Sequence, residues 1–270
     1  KDEKALELLA EYSKVDAIAC LEVSQKFLPL MQGLGATVGM SLFDASRATT
    51  GQLMDFLLMR QEFQENEVIR NSPTEDEVNK RSLEPIEGAF VLTPEPGVYE
   101  NLVVFDFRSL YPTIIISHNL DPTTLNCIDC SEKEVHVSPL GYKFCSKRKG
   151  MVPKLLEKIY DERSKLKKEL KKLKPGTKEY EYADARQWSL KIMMNSVYGY
   201  QVYARSRYYC RECGESTTSY ARKYIQDTIA IAEKQGFKVL YSDTDSIFFQ
   251  YSGKEKSEVL NFQKEVNAKL

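Results

Sequence analysis

The run YSDTDSIFF at residues 241–249 sets two aspartates, Asp243 and Asp245, between short apolar, β-prone flanks. These flanks predict strands over 237–242 and 246–251, joined through a turn at 243–245. In an extended strand or hairpin, residues i and i+2 face the same way. Two carboxylates so placed repel each other unless cations sit between them. A third carboxylate has a similar setting at Asp106, in VVFDFRSLYP. A lone aspartate at a strand end is ordinarily a turn residue or cap, and Asp-Thr-Asp by itself is a common triplet. Three at strand termini with apolar flanks point instead to a divalent-metal site for phosphoryl chemistry, where two ions sit ~3.5–4 Å apart.

The rest of the chain surrounds these strands with helices. Apolar positions at Leu6, Leu9, Val15, Ile18 and Leu21 predict a helix over 3–28, broken by Pro29 and by glycines at 33, 35 and 39. A second helix is predicted over 49–64, and a polar connector with short strands over 65–97. LVVFDF at 102–107 reads as a strand, and Pro112 suits the first turn of a following helix. Residues 120–150 carry turn signals. Two long helical patterns, 152–173 and 178–198, are separated by Pro175-Gly176 and so predict an antiparallel hairpin. Further helices fit 215–235 and 254–270. Helices mixed with a short antiparallel sheet indicate an α+β fold.

With 270 residues, 42% hydrophobic and 29% charged, the composition is that of a soluble globular protein. No apolar run approaches the ~18–20 residues of a membrane helix, and no signal peptide is present, so a cytoplasmic location with no membrane partner is expected. The first residues, KDEKALELLA, lack an initiator Met and read as part of something longer. Net charge is −1, which gives no overall nucleic-acid signal. From Lys154 to Lys191, however, 12 Lys/Arg stand against 7 Asp/Glu, which suits either a solvated helix or a basic element facing an anion.

Within that segment, Leu155, Ile159, Leu166, Leu170 and Leu173 form an apolar stripe. Arg163 lies on the stripe and Lys167 one turn further. Cations there either snorkel to solvent or meet an anion. On the second helix, Lys191, Asn195 and Tyr198 share a face at i, i+4 and i+7. The set could be a polar surface stripe, or it could grip a phosphate chain and stack beside a base.

Six cysteines include two C-x-x-C pairs, Cys127/Cys130 and Cys210/Cys213, while Cys20 and Cys145 stand alone. Two such pairs can make a four-thiolate zinc site, but the 79 residues between them exceed a compact zinc ribbon. Local disulfides drawing on Cys130, Cys145, Cys210 and Cys213 are the alternative in a thermophile's cytoplasm, and free thiols in a mesophile.

Three blocks, taken together, resemble the family B (alpha-like, replicative) DNA polymerases, most closely an archaeal one. DFRSLYP at 106–112 resembles motif A, KIMMNSVYG at 191–199 resembles motif B, and YSDTDS at 241–246 resembles motif C, in that order. SRATTG at 46–51 and the cysteines at 210 and 213 are weaker matches. The resemblance implies a palm, built from an antiparallel sheet with helices, and fingers formed by the antiparallel helical hairpin. It divides the chain into the end of a 3′–5′ exonuclease domain at 1–33, palm at 34–147, fingers at 148–199 and palm again at 200–270.

The resemblance also implies roles. Asp106 and Asp245, with the Phe107 carbonyl, would be the principal ligands of two Mg2+ ions, and Asp243 a supporting one. Backbone N–H groups of Leu110 and Tyr111 would hold triphosphate oxygens of a deoxynucleoside triphosphate, as a helix N-terminus can. The Tyr111 ring would occupy the space of a ribose 2′-hydroxyl. Arg163, Lys167, Lys191 and Asn195 would bind the triphosphate, and Tyr198 would lie near the nascent base pair. YSKVDA at 12–17 resembles the third exonuclease motif through Tyr12 and Asp16. The implied partners are primer–template DNA, deoxynucleotides, and a sliding clamp or a second chain supplying the thumb.

Two departures stand out. IEGA at 86–89 resembles the family's template-contacting Y-x-G-G/A turn, but Ile86 replaces the tyrosine. The sequence stops at Leu270 before a thumb, so this segment alone is expected to grip DNA poorly. The rival readings are a catalytically silent polymerase-like DNA-binding or scaffold subunit, and another two-metal enzyme such as a cyclase or nuclease. Intact acidic and basic sets argue against the first. The presence of motif B, and of Asp16 without partner carboxylates, argues against the second.

Overall fold

The computed structural model describes residues 3–128, 130–131, 134–251, 253 and 255–269. Nine helices and six strands follow one another among the described residues: α1 (Glu3–Val38), α2 (Leu42–Arg47), α3 (Thr50–Gln64), α4 (Glu75–Ser82), β1 (Val91–Leu92), β2 (Leu102–Asp106), α5 (Leu110–Ser117), β3 (Val135–Val137), β4 (Lys143–Cys145), α6 (Met151–Leu170), α7 (Lys178–Val202), α8 (Arg211–Lys234), β5 (Lys238–Asp243), β6 (Ser246–Gln250) and α9 (Lys256–Lys269). The fold mixes helices with antiparallel sheets, as expected. The chain divides into two compact units, one of residues 1–57 and 158–194, the other of residues 58–157 and 195–270.

In the second unit, a four-stranded antiparallel sheet has the order β1-β5-β6-β2. Its hairpin, β5–β6, turns through Thr244, whose φ of 55° is left-handed. Period-two alternation assigns the faces. Phe105 and Val103 of β2 pair across from Ile247 and Phe249 of β6, and these side chains meet Ile225 and Ala232 of α8 and Val259, Phe262 and Val266 of α9 in one core. Phe105 stacks on Phe262 at 5.4 Å, and Phe249 meets Phe105 edge-on at 4.9 Å. Asp106, at the end of the same strand, consequently falls on the opposite face.

In the first unit, α1 runs through Pro29 to Val38, which corrects the expected break after residue 28. Proline removes one helix hydrogen bond, yet packing holds the last turns. A Cβ on Gly33 would stand 3.2 Å from the Ala185 carbonyl, and Thr37 shares a hydroxyl contact of 3.2 Å with Ser189. Gly33, read as a breaker, instead allows α1 to approach α7 closely. The helix ends at Gly39, with φ of 88°. The apolar positions that predicted this helix, Leu6, Leu9, Val15, Ile18 and Leu21, are exposed.

Helices α6 and α7 follow the predicted pair, with Gly176 at φ 85° between them. Arg186 of α7 donates to Glu162 of α6 at 2.9 Å. Helix α7 continues through Gly199 to Val202, past its predicted end. A helix not expected from periodicity, α4, opens on a reciprocal cap between Thr74 and Glu77. Positions 254 and 270 of the last predicted helix lie outside the described residues.

Candidate active site

Strand register brings the acidic residues together. Ser246, the first residue of β6, pairs with Asp106 of β2 on one side and with Asp243 of β5 on the other. All three therefore lie on the sheet face turned away from the helical core. Asp245 sits one residue earlier, in the hairpin turn, within the turn predicted over 243–245. The Phe107 N–H donates to the Asp245 carbonyl at 2.8 Å, which joins the end of β2 directly to this turn. Asp243 is held by a different set: Thr244 Oγ1 donates to it at 2.9 Å and the Tyr241 hydroxyl at 3.2 Å.

Electrostatics separates the three carboxylates. Asp106 and Asp243 are exposed, whereas Asp245 is half-buried. Burial pushes the Asp245 carboxyl above its ordinary range, the Asp106 carboxylate adds to the rise, and Asp243 contributes less. Its own backbone N–H opposes them. Negative charge is thus concentrated between Asp106 and Asp245. The three carboxylates do not all lie within 4.8 Å of one another; among the described residues that spacing is met by three cysteines instead. The donor set fits a hard divalent cation, which prefers oxygen ligands and would relieve this repulsion.

Helix α5 begins four residues after Asp106. Its N-cap, Ser109, is left-handed at φ 55°, ψ 51°, and its side chain caps no N–H. The N–H groups of the first turn, Leu110 and Tyr111 among them, are therefore left for an anion or water. The Tyr111 ring packs edge-to-face on Tyr198 of α7, with centroids 4.7 Å apart. Burial pushes the Tyr111 hydroxyl up to about 12, helped by Tyr198 and Asp245 and opposed by Arg222. Motif A, motif B and motif C residues meet in this one unit.

Arg222 was not legible from sequence, because a lone arginine in SYARKY carries no pattern. It donates to the carbonyls of Glu87 at 3.1 Å and Gly88 at 2.7 Å, and pairs with the Glu87 carboxylate at 2.9 Å. Thr218 also donates to the Glu87 carbonyl. The IEGA turn is thereby clamped to α8, and a Cβ on Gly214 of α8 would stand 3.4 Å from Ile86 Cδ1.

The remaining predicted residues are distributed as follows. Asn195 is exposed on α7 within the second unit. Arg163 and Lys167 on α6, and Lys191 on α7, belong to the first unit, where the Lys191 ammonium lies 4.6 Å from the Trp188 ring centroid. Tyr12 and Asp16 are exposed, one turn apart on α1. All six cysteines are free thiols, so Cys130, Cys145, Cys210 and Cys213 form no disulfide in this structure. Nor do the two C-x-x-C pairs form one zinc site: Cys127 and Cys130 cluster with Cys145, without Cys210 or Cys213.

The profile of DNA polymerase family B matches residues 45–270. The chain belongs to this family. This family B chain is 44% identical over 273 residues to the DNA polymerase of Thermococcus gorgonarius and 42% identical over 272 residues to DNA polymerase 1 of Pyrococcus abyssi. Each match covers 99% of the chain and 35% of the relative, so the chain spans about a third of the curated relatives it matches. Its structure is similar to that of the family B DNA polymerase from Pyrobaculum calidifontis, with a TM-score of 0.79 and 32% identity over 99% of this chain and 34% of that one. No described helix of this family B chain is long and apolar enough to cross a membrane.

Proposed function

We propose that this chain is the palm and fingers of a template-directed DNA polymerase serving DNA replication, with the sheet unit as palm and the α6–α7 pair as fingers. The observation that carries the reading is the junction of β2 with the β5–β6 turn, which brings the end of β2, at Asp106, to Asp245 in the turn. In this reading Asp106, Asp245 and the Phe107 carbonyl hold two Mg2+ ions, with Asp243 in support. When bound, the ions lower the pKa of an attacking primer 3′-hydroxyl and neutralise charge on the departing pyrophosphate.

The chain's own residues do the positioning. The open first turn of α5 offers the N–H groups of Leu110 and Tyr111 to triphosphate oxygens, and its dipole favours negative charge there. For triphosphate binding, Arg163, Lys167 and Lys191 are the proposed cations and Asn195 the proposed amide. The Tyr111 ring, fixed against Tyr198 and kept neutral by burial, closes the space beside the sugar, so that a 2′-hydroxyl would clash. Tyr198 offers an aromatic face to the base pair. Primer–template DNA would pass the turn clamped by Arg222. Tyr12 and Asp16 would contribute to proofreading in a longer protein, and a clamp or second chain would complete the grip on DNA.

The test is single-nucleotide extension of a primer–template by this chain in excess with Mg2+. Matched deoxynucleotide incorporation that disappears in Asp245→Asn is the expected result. Incorporation that survives Asp245→Asn would remove the metal assignment, and with it the reading.

A further inference from the structure

Outside the acidic site, three soft donors meet. The Sγ atoms of Cys127, Cys130 and Cys145 all lie within 4.8 Å of one another. Cys130 Sγ and Cys145 Sγ are 3.0 Å apart, longer than a covalent S–S bond of about 2.05 Å, and all three residues are free thiols. A disulfide uses two sulfurs and would leave the third over. Sulfurs around a tetrahedral zinc, at a Zn–S distance of about 2.3 Å, stand about 3.8 Å apart. The three sulfurs lie within 4.8 Å of one another, and the Cys130–Cys145 pair would open from 3.0 Å to take the ion.

The backbone holds the three in place. Cys145 ends β4, and its N–H donates to the Thr124 carbonyl at 2.8 Å. Asn126, next to Cys127, donates to the Lys143 carbonyl at 2.8 Å, and Leu125 bridges to Phe144, so the Cys127 end of the loop is fastened to β4. On the Cys130 side, Ser146 donates to the Glu134 carbonyl, and the Glu134 carboxylate accepts from the Ser131 N–H at 2.9 Å. After Cys145 the backbone is held by buried Asn119, which donates to the carbonyls of Cys145 and Arg148 at 2.5 and 2.8 Å. The Lys147 ammonium, two residues on from Cys145, pairs with Glu134 at 3.0 Å.

We propose that Cys127, Cys130 and Cys145 bind one thiophilic divalent cation, Zn2+, with a fourth position open to water or an outside donor. Each ligating thiol gives up its proton to solvent on binding, and no electron is transferred. The role is structural. The ion would tie the loop after residue 125 to the end of β4. From there the same backbone leads to Gly150 and Val152, whose N–H groups are held by Asn119 and Asp121, both at 2.8 Å, at the start of α6.

The experiment is titration of the full chain, reduced and oxygen-free, with Co2+ and then Zn2+. One equivalent of Co2+ should produce a thiolate-to-metal charge-transfer band, which one equivalent of Zn2+ abolishes, and Zn2+ should raise the Tm. Cys127→Ser, at a half-exposed position, should weaken Zn2+ binding by more than about 100-fold, the upper end of the loss for an outer partner alone. Cys130→Ser should do the same. Cys210→Ser and Asp245→Asn should bind Zn2+ as the parent does, which separates this site from the acidic one. A full chain without the charge-transfer band, or a band that persists in both Cys127→Ser and Cys130→Ser, overturns the proposal. The polymerase reading stands or falls independently of either result.

Discussion

Asp245 carries an electrostatic cost and, in the proposed reading, the metal. Burial and the nearby Asp106 raise its carboxyl pKa in the folded chain. A raised acid pKa stabilises the fold while the group is protonated, and that contribution is lost as pH rises through the folded value. Without divalent cations, Asp245→Asn should therefore have a higher Tm than the parent at pH 7. The difference should vanish below the ordinary carboxylate range, as thermal melts from pH 3 to pH 7 would show. Mg2+ should raise the Tm of the parent and not of Asp245→Asn, because only a ligand that favours the folded state stabilises it. Incorporation should fall by at least about 100-fold in Asp245→Asn, the scale of losing a preorganised charge partner, and by less in Asp243→Asn. Tyr111→Ala should relax sugar selection. Competition between ribo- and deoxynucleotides checks this, and unchanged rejection of ribonucleotides would remove the packing role given to the ring. The acidic residues were legible because carboxylates at strand ends are few and chemically costly. Arg222 was not, since its role lies in the carbonyls of a turn more than 130 residues away.

Among the elements, the β5–β6 hairpin was legible from its alternation and acidic turn, and the α6–α7 pair from its apolar stripe and Pro175-Gly176. α1 was misread at Pro29, because propensity sees the lost hydrogen bond and not the helix packed against Gly33. The short α4 was missed because eight mostly charged residues give no periodicity, although the Thr74–Glu77 cap was visible in the sequence. The entry to α6 offers a test at this scale. A Cβ on Gly150 would stand 2.3 Å from Asp121 Cβ. Asp121 is wholly buried and its carboxylate accepts from Thr123 and from the Val152 N–H. Gly150→Ala should therefore cost about 2–3 kcal/mol, through overpacking and a disturbed buried acceptor. Denaturant unfolding checks it. A loss below about 0.5 kcal/mol would show that the turn yields easily.

On the scale of the whole chain, the order of the three motifs was enough to name a family, and the family profile agrees over residues 45–270. The cysteines show where sequence spacing stops being informative. Two C-x-x-C pairs invited one site, but the strand pair β3–β4 brings Cys145 to Cys127 and Cys130, a pairing set by tertiary register. The chain's activity is best tested within a full-length polymerase, because it spans only about a third of its relatives. The measurement is primer extension by a chimera in which this chain replaces the matching segment of the Thermococcus gorgonarius polymerase. The chimera should add matched deoxynucleotides with Mg2+, and Asp245→Asn within it should abolish the addition. A chimera that extends primers equally well with Asp245→Asn would contradict the account.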